Sequence, residues 1–243
     1  MKKDSQHSFN EGLRKRKIPD FDQERNVLII VDMQKESQPD GFWAGYNWEP
    51  TLASAQKVLE ACRRKRIPVV HVRVSRDEGG VENHPFDVVD ENGRPLYSVR
   101  GTWDEEFVDD LTPLPGEHIV NKQRFSAFYQ TNLKLILDGL KAEHLIMMGV
   151  YTDSCFLTSV YDAFTMGYTI SIIKDACTAG TKASHMTSIL DMANWIYGSS
   201  IYVADEFVKA TEGKEHKAWY WDYPNTKPYE LDNAEELYHT VGE

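Results

Sequence analysis

The sequence predicts an α/β protein in which a parallel sheet carries helices on both faces. Three observations predict it. Short apolar, β-branched runs recur along the chain, amphipathic segments of helical period separate them, and no repeat or Gly/Ser-rich linker interrupts the alternation. A chain of 243 residues, 41% of them hydrophobic, is of ordinary size for one such domain.

The first strand is NVLIIVD, residues 26–32, an apolar run of the kind buried on both faces. In TLASAQKVLEACRRKR, 51–66, Leu52, Ala55, Val58, Leu59 and Cys62 share one helical face. IPVVHVRV (67–74) is the second strand and HIVNK (118–122) the third. TNLKLILDGL (131–140) is a helix and HLIMMGV (144–150) the fourth strand. DSCFLTSVYDAFTMG (153–167) is a helix with Asp153 as its cap. YTISIIKDA (168–176) is the fifth strand, ASHMTSILDMANWIYG (183–198) a helix and SIYVAD (200–205) the sixth strand. The expected organisation is an N-terminal extension over 1–25, one domain over 26–205, and a C-terminal extension over 206–243. That last piece is acidic and aromatic, and is expected to pack on the domain or on a neighbouring subunit. The Gly- and Pro-bearing stretch 75–116 is too long for a plain connection, and such loops are often functional.

Charge and composition exclude several partners. With 27 basic and 38 acidic residues the net charge is −11, which repels phosphate backbones, so no nucleic-acid partner is expected. The N-terminal stretch lacks a signal-peptide core, and RKRK at 14–17 reads as a solvated basic segment. No window approaches the ~20 apolar residues that span a bilayer, so no membrane partner is expected. Cys62, Cys155 and Cys177 are odd in number and widely spaced, a poor disulfide framework that suits a reducing cytosol. A cytoplasmic protein is expected.

Parallel sheets bind ligands outside the carboxyl ends of their strands. Strand one delivers Asp32 there, strand three Lys122 and strand four, after its glycine, Cys155. Taken singly these are a turn residue, a solvated lysine and a packing thiol. Together they are an acid, a base and a thiol at one sheet edge. A free thiol near pKa ~8.5 is mostly protonated at neutral pH. Helix-terminal amides and Lys122 would favour the thiolate, and Asp32 could take the thiol proton and pass it to a leaving group. Backbone amides around Tyr151 and Cys155 could receive the oxyanion. Among the neighbours, Gln34 is either a contact to acid or substrate or a loop hydrogen-bonder. Arg124 either grips a substrate carboxylate in a two-pronged contact or forms a structural salt bridge. Trp43, Phe125 and Tyr151 either wall a small pocket or belong to core or interface. Cys62 and Cys177 read as packing residues, and His71, His118, His144 and His185 form no ligand spacing.

VDMQ at Asp32, KQRFSAFYQTNL at Lys122 and GVYTDSC at Cys155 resemble the signatures of the isochorismatase-like cysteine hydrolases. That superfamily includes nicotinamidases, N-carbamoylsarcosine amidohydrolase, ureidoacrylate and biuret hydrolases, and isochorismatase itself. YDAFTMGY and KDACTAGTKASHMTSILDM follow its pattern too, so the resemblance covers roughly 26–205. It implies a Rossmann-like three-layer α/β/α fold with a six-stranded parallel sheet. It also implies a catalytic triad of Asp32 as general acid/base, Lys122 as thiolate partner and Cys155 as nucleophile. The oxyanion hole is then formed by Tyr151 and Cys155, with a cis peptide at Val150–Tyr151. Gln34, Trp43, Arg124, Phe125 and Tyr151 become the substrate-binding candidates.

Departures from the family pattern narrow the expectation. Isochorismatases that cleave a vinyl ether usually carry glycine where this chain has Cys155, although RFSAFYQTNL is isochorismatase-like. The thiol favours covalent hydrolysis of a small amide, ureido or carbamoyl C–N bond through a thioester. The alternative is a vinyl ether hydrolase using Asp32 as general acid. A non-catalytic binding protein on the same fold is the third reading, and the complete triad argues against it. Nicotinamidases carry Asp-x-His and a further His after strand two, whereas here Asp77 is followed by Glu78 and Gly79 with only His84 beyond. A lone His is a poor metal site, so neither a metal nor a cofactor is expected. A homo-oligomer, dimer or tetramer, is expected.

Overall fold

A computed structural model describes residues 20–21, 25–221, 223–225 and 228–243. The basic run at 14–17 and most of the 1–25 extension lie outside the described residues. One sheet organises the molecule. Its strands are β1 (Asn26–Val31), β2 (Val69–Val74), β3 (His118–Lys122), β4 (His144–Val150), β5 (Thr169–Thr178), β6 (Ser199–Tyr202) and β7 (Trp219–Trp221). Their order is β3-β2-β1-β4-β5-β6-β7. The six strands expected are all present and parallel, but the sheet has a seventh, antiparallel to β6. β7 was not legible because WYW is too short to show an alternation, and it forms only where the backbone returns along the open edge of β6.

The helices are α1 (Trp48–Arg64), α2 (Leu133–Gly139), α3 (Cys155–Thr165), α4 (Lys182–Trp195), α5 (Ala204–Thr211) and α6 (Ala234–Thr240). They complete a three-layer α/β/α arrangement. α1 packs on β5 and α5, α3 lies on β4 and β5, and α4 packs on β5 and carries α6. The segment expected to continue strand six turns at Val203 into α5 instead. Ala204 donates its amide to Asp175 (2.7 Å), which fixes the start of that helix. Among the described residues no helix is long and apolar enough to cross a membrane.

Strand burial explains why the runs fold as they do. Every residue of β1 and of β4 is buried, as central strands of a doubly covered sheet require. Each of Leu28, Ile29 and Ile30, at most 1% exposed, contributes roughly 1.5–3 kcal/mol by leaving water. β1, β2 and β3 build outward to one edge, and the chain then returns to place β4 on the other side of β1. That reversal opens a crevice at the carboxyl ends of β1 and β4. Register holds those ends level, with Val31 beside both Val72 and Gly149, and Val74 beside Lys122.

Candidate active site

Asp32 leaves β1 in the left-handed region (φ 51°), where aspartate is tolerated better than most residues. Its amide donates to Val72 (2.9 Å) and its carbonyl accepts Gln34 N–H (2.8 Å), which turn the carboxylate into the crevice. Lys122 closes β3 and is fully buried, while Cys155 is the first residue of α3. The lysine joins the other two. Its Nζ lies 2.8 Å from Asp32 Oδ2 and donates to Cys155 Sγ at 3.2 Å and to the Arg124 carbonyl at 3.0 Å. Among the described residues neither Asp32 oxygen has a well-aligned hydrogen-bond donor: Oδ2 meets Lys122 as an ion contact, and the carboxylate also interacts with the Cys155 thiol. The carboxylate therefore keeps acceptor capacity within reach of the thiol.

Burial dominates the electrostatics. It raises the Asp32 carboxyl above its ordinary range, with Lys122 opposing. Burial alone would lower the Lys122 ammonium, but Asp32 and Cys155 outweigh it and hold the group above its usual value. The Cys155 thiol is pushed up to about 12 by burial, with Lys122 pulling the other way and Asp32 adding to the rise. The lysine sits where the sequence expects it, yet it does not produce a resting thiolate, because desolvation of the sulfur wins. At neutral pH the thiol is protonated. When Asp32 is ionised, moving the thiol proton to it leaves the net charge of the three groups at zero, so the buried site never has to hold an extra charge.

The strand-to-helix connection after β4 is built for close approach. A Cβ on Gly149 (φ 130°) would stand 2.1 Å from the Val31 carbonyl oxygen, so only glycine lets β4 lie this near β1. The next peptide, Val150–Tyr151, is cis. The Tyr151 carbonyl accepts the amides of Ser154 (3.0 Å) and Phe156 (3.1 Å), and the Thr152 amide donates to Thr178 (2.8 Å). Among the hydrogen bonds of the described residues, neither the Tyr151 nor the Cys155 amide is engaged. First-turn helix amides lack intrahelical partners and suit an anion. Asp153 does not cap this helix. Ser154 is the cap residue and makes no side-chain cap bond, which leaves the turn open.

The other expected residues divide. Gln34 is a correction. It is fully buried, with Nε2 donating to the carbonyls of Val74 (3.0 Å) and Glu105 (3.1 Å) and Oε1 accepting Val74 N–H (2.7 Å). Its amide has nothing left for a substrate, so it is the loop hydrogen-bonder. Arg124 spends two of its five N–H groups on the carbonyls of Gln123 (2.9 Å) and Glu82 (3.1 Å), with Asp87 4.0 Å away, and its side chain stays partly exposed. Phe125 points largely to solvent, at 65% exposed. Trp43 packs edge-on against Phe42 and Tyr97, and Tyr151 is half-buried. Cys177 is buried, its thiol directed at the Ile173 carbonyl (3.2 Å). After β2, Asp77 accepts the Gly79 amide (2.9 Å) and His84 the Phe86 amide (3.3 Å). Among the described residues no group of three or more His, Cys, Asp or Glu is placed to hold a metal ion.

Sequence reasoning missed a second layer around the triad. Glu36 is buried and accepts a short hydrogen bond from Ser98 Oγ. Burial, with the Asp32 charge adding, lifts its carboxyl to about 7. Arg76 is buried, pairs with Asp87 (2.9 Å), donates to Tyr97 Oη (3.0 Å) and lies over the Tyr97 ring (4.7 Å). The strand-end rule applied to β2 would have pointed to Arg76. Nothing local marks Ser98 or Tyr97.

A carboxylate, an ammonium and a thiol share the switch-point crevice of a doubly wound sheet, with unengaged amides beside them. Fold and site together define a hydrolase of the α/β/α class. The chain belongs to the isochorismatase family, whose isochorismatase-domain model matches residues 26–201. It is 29% identical over 169 residues to the ureidoacrylate amidohydrolase RutB of Rhizobium rhizogenes (strain K84 / ATCC BAA-868), covering 62% of this chain and 69% of that protein. The structure of N-carbamoylsarcosine amidase from Thermoplasma acidophilum superposes with a TM-score of 0.63 at 28% identity, over 75% of this chain and 98% of the other. An isochorismatase family protein from Desulfovibrio vulgaris subsp. vulgaris str. Hildenborough gives 0.66 at 27% identity, over 70% and 90%.

Proposed function

We propose that this chain is a cysteine amidohydrolase that cleaves the C–N bond of a small amide, ureido or carbamoyl substrate through a thioester. The observation that carries the reading is Lys122 Nζ touching both the carboxylate (2.8 Å) and the thiol (3.2 Å) beside two unengaged amides. The names of the relatives, an amidohydrolase of ureidoacrylate and an amidase of N-carbamoylsarcosine, support it. Cys155 Sγ attacks the carbonyl carbon as its proton passes to Asp32. The carbonyl electron pair moves onto oxygen, which the Tyr151 and Cys155 amides receive, an interaction worth ~3–4 kcal/mol in comparable sites. Collapse breaks the C–N bond, Asp32 returns the proton to the departing nitrogen, and ammonia or an amine leaves. Water then attacks the thioester, its proton going to Asp32, and the thiol is restored as the acid departs. Lys122 keeps its charge throughout and offsets whichever neighbour is negative. Trp43 and Tyr151 form the pocket wall. The reading extends to a homo-oligomer in a reducing compartment, supported by three free buried cysteines and the exposed aromatics Phe42, Trp43 and Phe125.

The test is ammonia release from nicotinamide, biuret, ureidoacrylate, N-carbamoylsarcosine and maleamate, with Cys155→Ala as blank. Turnover of at least one compound, abolished in the variant and accompanied by an acyl adduct on Cys155 in the intact mass, is expected. Undiminished hydrolysis by Cys155→Ala, or isochorismate cleavage insensitive to iodoacetamide, would overturn the thioester route.

A further inference from the structure

The segment beyond β7 lies outside the family match, yet it connects through His185 to Thr152, the neighbour of Tyr151. Tyr238, on α6, places Oη 3.0 Å from His185 Nε2, with the two rings edge-on at 5.6 Å. His185, on α4, places Nδ1 2.9 Å from Thr152 Oγ1. Thr152 directly follows Tyr151. Its amide is bound to Thr178, so Thr152 is held by backbone on one side and by this side-chain chain on the other.

The far end of the relay is anchored as firmly. Lys174, on β5 and 1% exposed, donates to the Tyr238 carbonyl (3.0 Å), sits 4.4 Å from the Tyr238 ring centre and pairs with Glu243 (2.7 Å). Val241 is fully buried beyond it. Burial, with the Lys174 charge adding, lowers His185 to about 4, so the imidazole is neutral and carries one N–H. A neutral ring between two hydroxyls needs both partners: one accepts its proton and the other donates to its bare nitrogen. Without the Tyr238 hydroxyl, Nε2 would be left buried and unpaired.

We infer that Tyr238 is a positioning residue: through His185 it fixes Thr152 and so aims the adjoining Tyr151 amide at the developing oxyanion. The Tyr151 amide has no acceptor of its own among the described residues, so its direction depends on its flanking residues. Val150 is held by the sheet on one side, and Thr152 by the relay on the other. A misplacement near 1 Å costs as much as ~100-fold in rate. The inference rests on the proposed hydrolysis for its kinetic consequence, but the structural link can be tested without turnover.

The experiment compares Tyr238→Phe, His185→Gln, Thr152→Val and Thr152→Ser with the wild type, and uses Glu236→Ala as a control on the exposed face of α6. Three readouts are expected to agree. In the Phe, Gln and Val variants kcat falls roughly 10- to 100-fold with KM little changed, because an oxyanion contact acts only in the transition state. Thr152→Ser and Glu236→Ala stay near wild type. Alkylation of Cys155 by iodoacetamide, which forms an S–C bond, releases iodide and develops no oxyanion, keeps its rate. Hydrogen exchange in the peptide spanning 150–156 accelerates in the variants that lose kcat and not in the control. Unchanged exchange overturns the inference, as does a parallel loss of alkylation, which would mean general collapse of the site. If Tyr238→Phe does not fold, Thr152→Val must give the same pattern or the inference fails. If the wild type hydrolyses nothing in the panel, the amidohydrolase reading falls, while exchange still decides the positioning link.

Discussion

Glu36→Gln isolates the electrostatic consequence of burying a carboxyl beside the triad. Burial lifts Glu36 from 4.5 to about 7, with the Ser98 hydrogen bond opposing and the Asp32 charge adding. The folded state therefore binds this proton more tightly than the unfolded chain does. The resulting stabilisation is fully present below pH 4.5 and is lost as pH rises through about 7. At ~1.4 kcal/mol per pH unit the full swing is roughly 3 kcal/mol, of which about 2.5 falls between pH 5 and pH 8.5. Glutamine imitates the protonated acid at every pH and should remove that slope. Urea unfolding of both proteins at the two pH values measures it. Relative to wild type, the variant should gain about 2.5 kcal/mol on going to the higher pH. A wild-type-to-variant difference independent of pH would refute the reasoning, because Glu36 would then ionise as freely folded as unfolded.

Two further perturbations probe the site. Lys122→Met removes the one charge that opposes desolvation of both Asp32 and Cys155. Asp32 must be ionised to take the thiol proton, so activity rises with pH through its pKa. Loss of the lysine raises that pKa, so the acid limb of kcat/KM should move to higher pH and the plateau fall ~100-fold or more. An unmoved limb in the pH–rate profile would count against this. Gly149→Ala places a Cβ 2.1 Å from the Val31 carbonyl at a φ of 130°. Thermal unfolding should show a loss of ~3 kcal/mol or more, with β1 and β4 forced apart at the crevice. Wild-type stability would contradict the close approach.

Element order was legible because each element carries a local signal. NVLIIVD and HLIMMGV are apolar throughout because central strands are covered on both faces, and α1 shows its buried stripe directly. The candidate triad was legible for a related reason: strand ends in a parallel sheet face one crevice, so Asp32, Lys122 and Cys155 could be brought together without knowing a single distance. The identity of the elements was also clearer than their ends. The helix expected from residue 51 begins at Trp48, and the sixth strand stops at Tyr202.

What the chain alone determined, then, was which reactive groups arrive at one edge of the sheet, since that follows from alternation and strand polarity. Only the tertiary structure decided how those groups behave. The thiol is neutral because surrounding atoms exclude water from it, a property that no neighbour in sequence reports. Gln34 is a brace because Val74 and Glu105, 40 and 71 residues away, consume its amide. Glu36 meets Ser98 across 62 residues, and Tyr238 meets His185 across 53. β7 exists because β6 leaves an edge to be paired. Local periodicity is written residue by residue, whereas desolvation and long-range pairing arise only when the folded chain brings distant segments together.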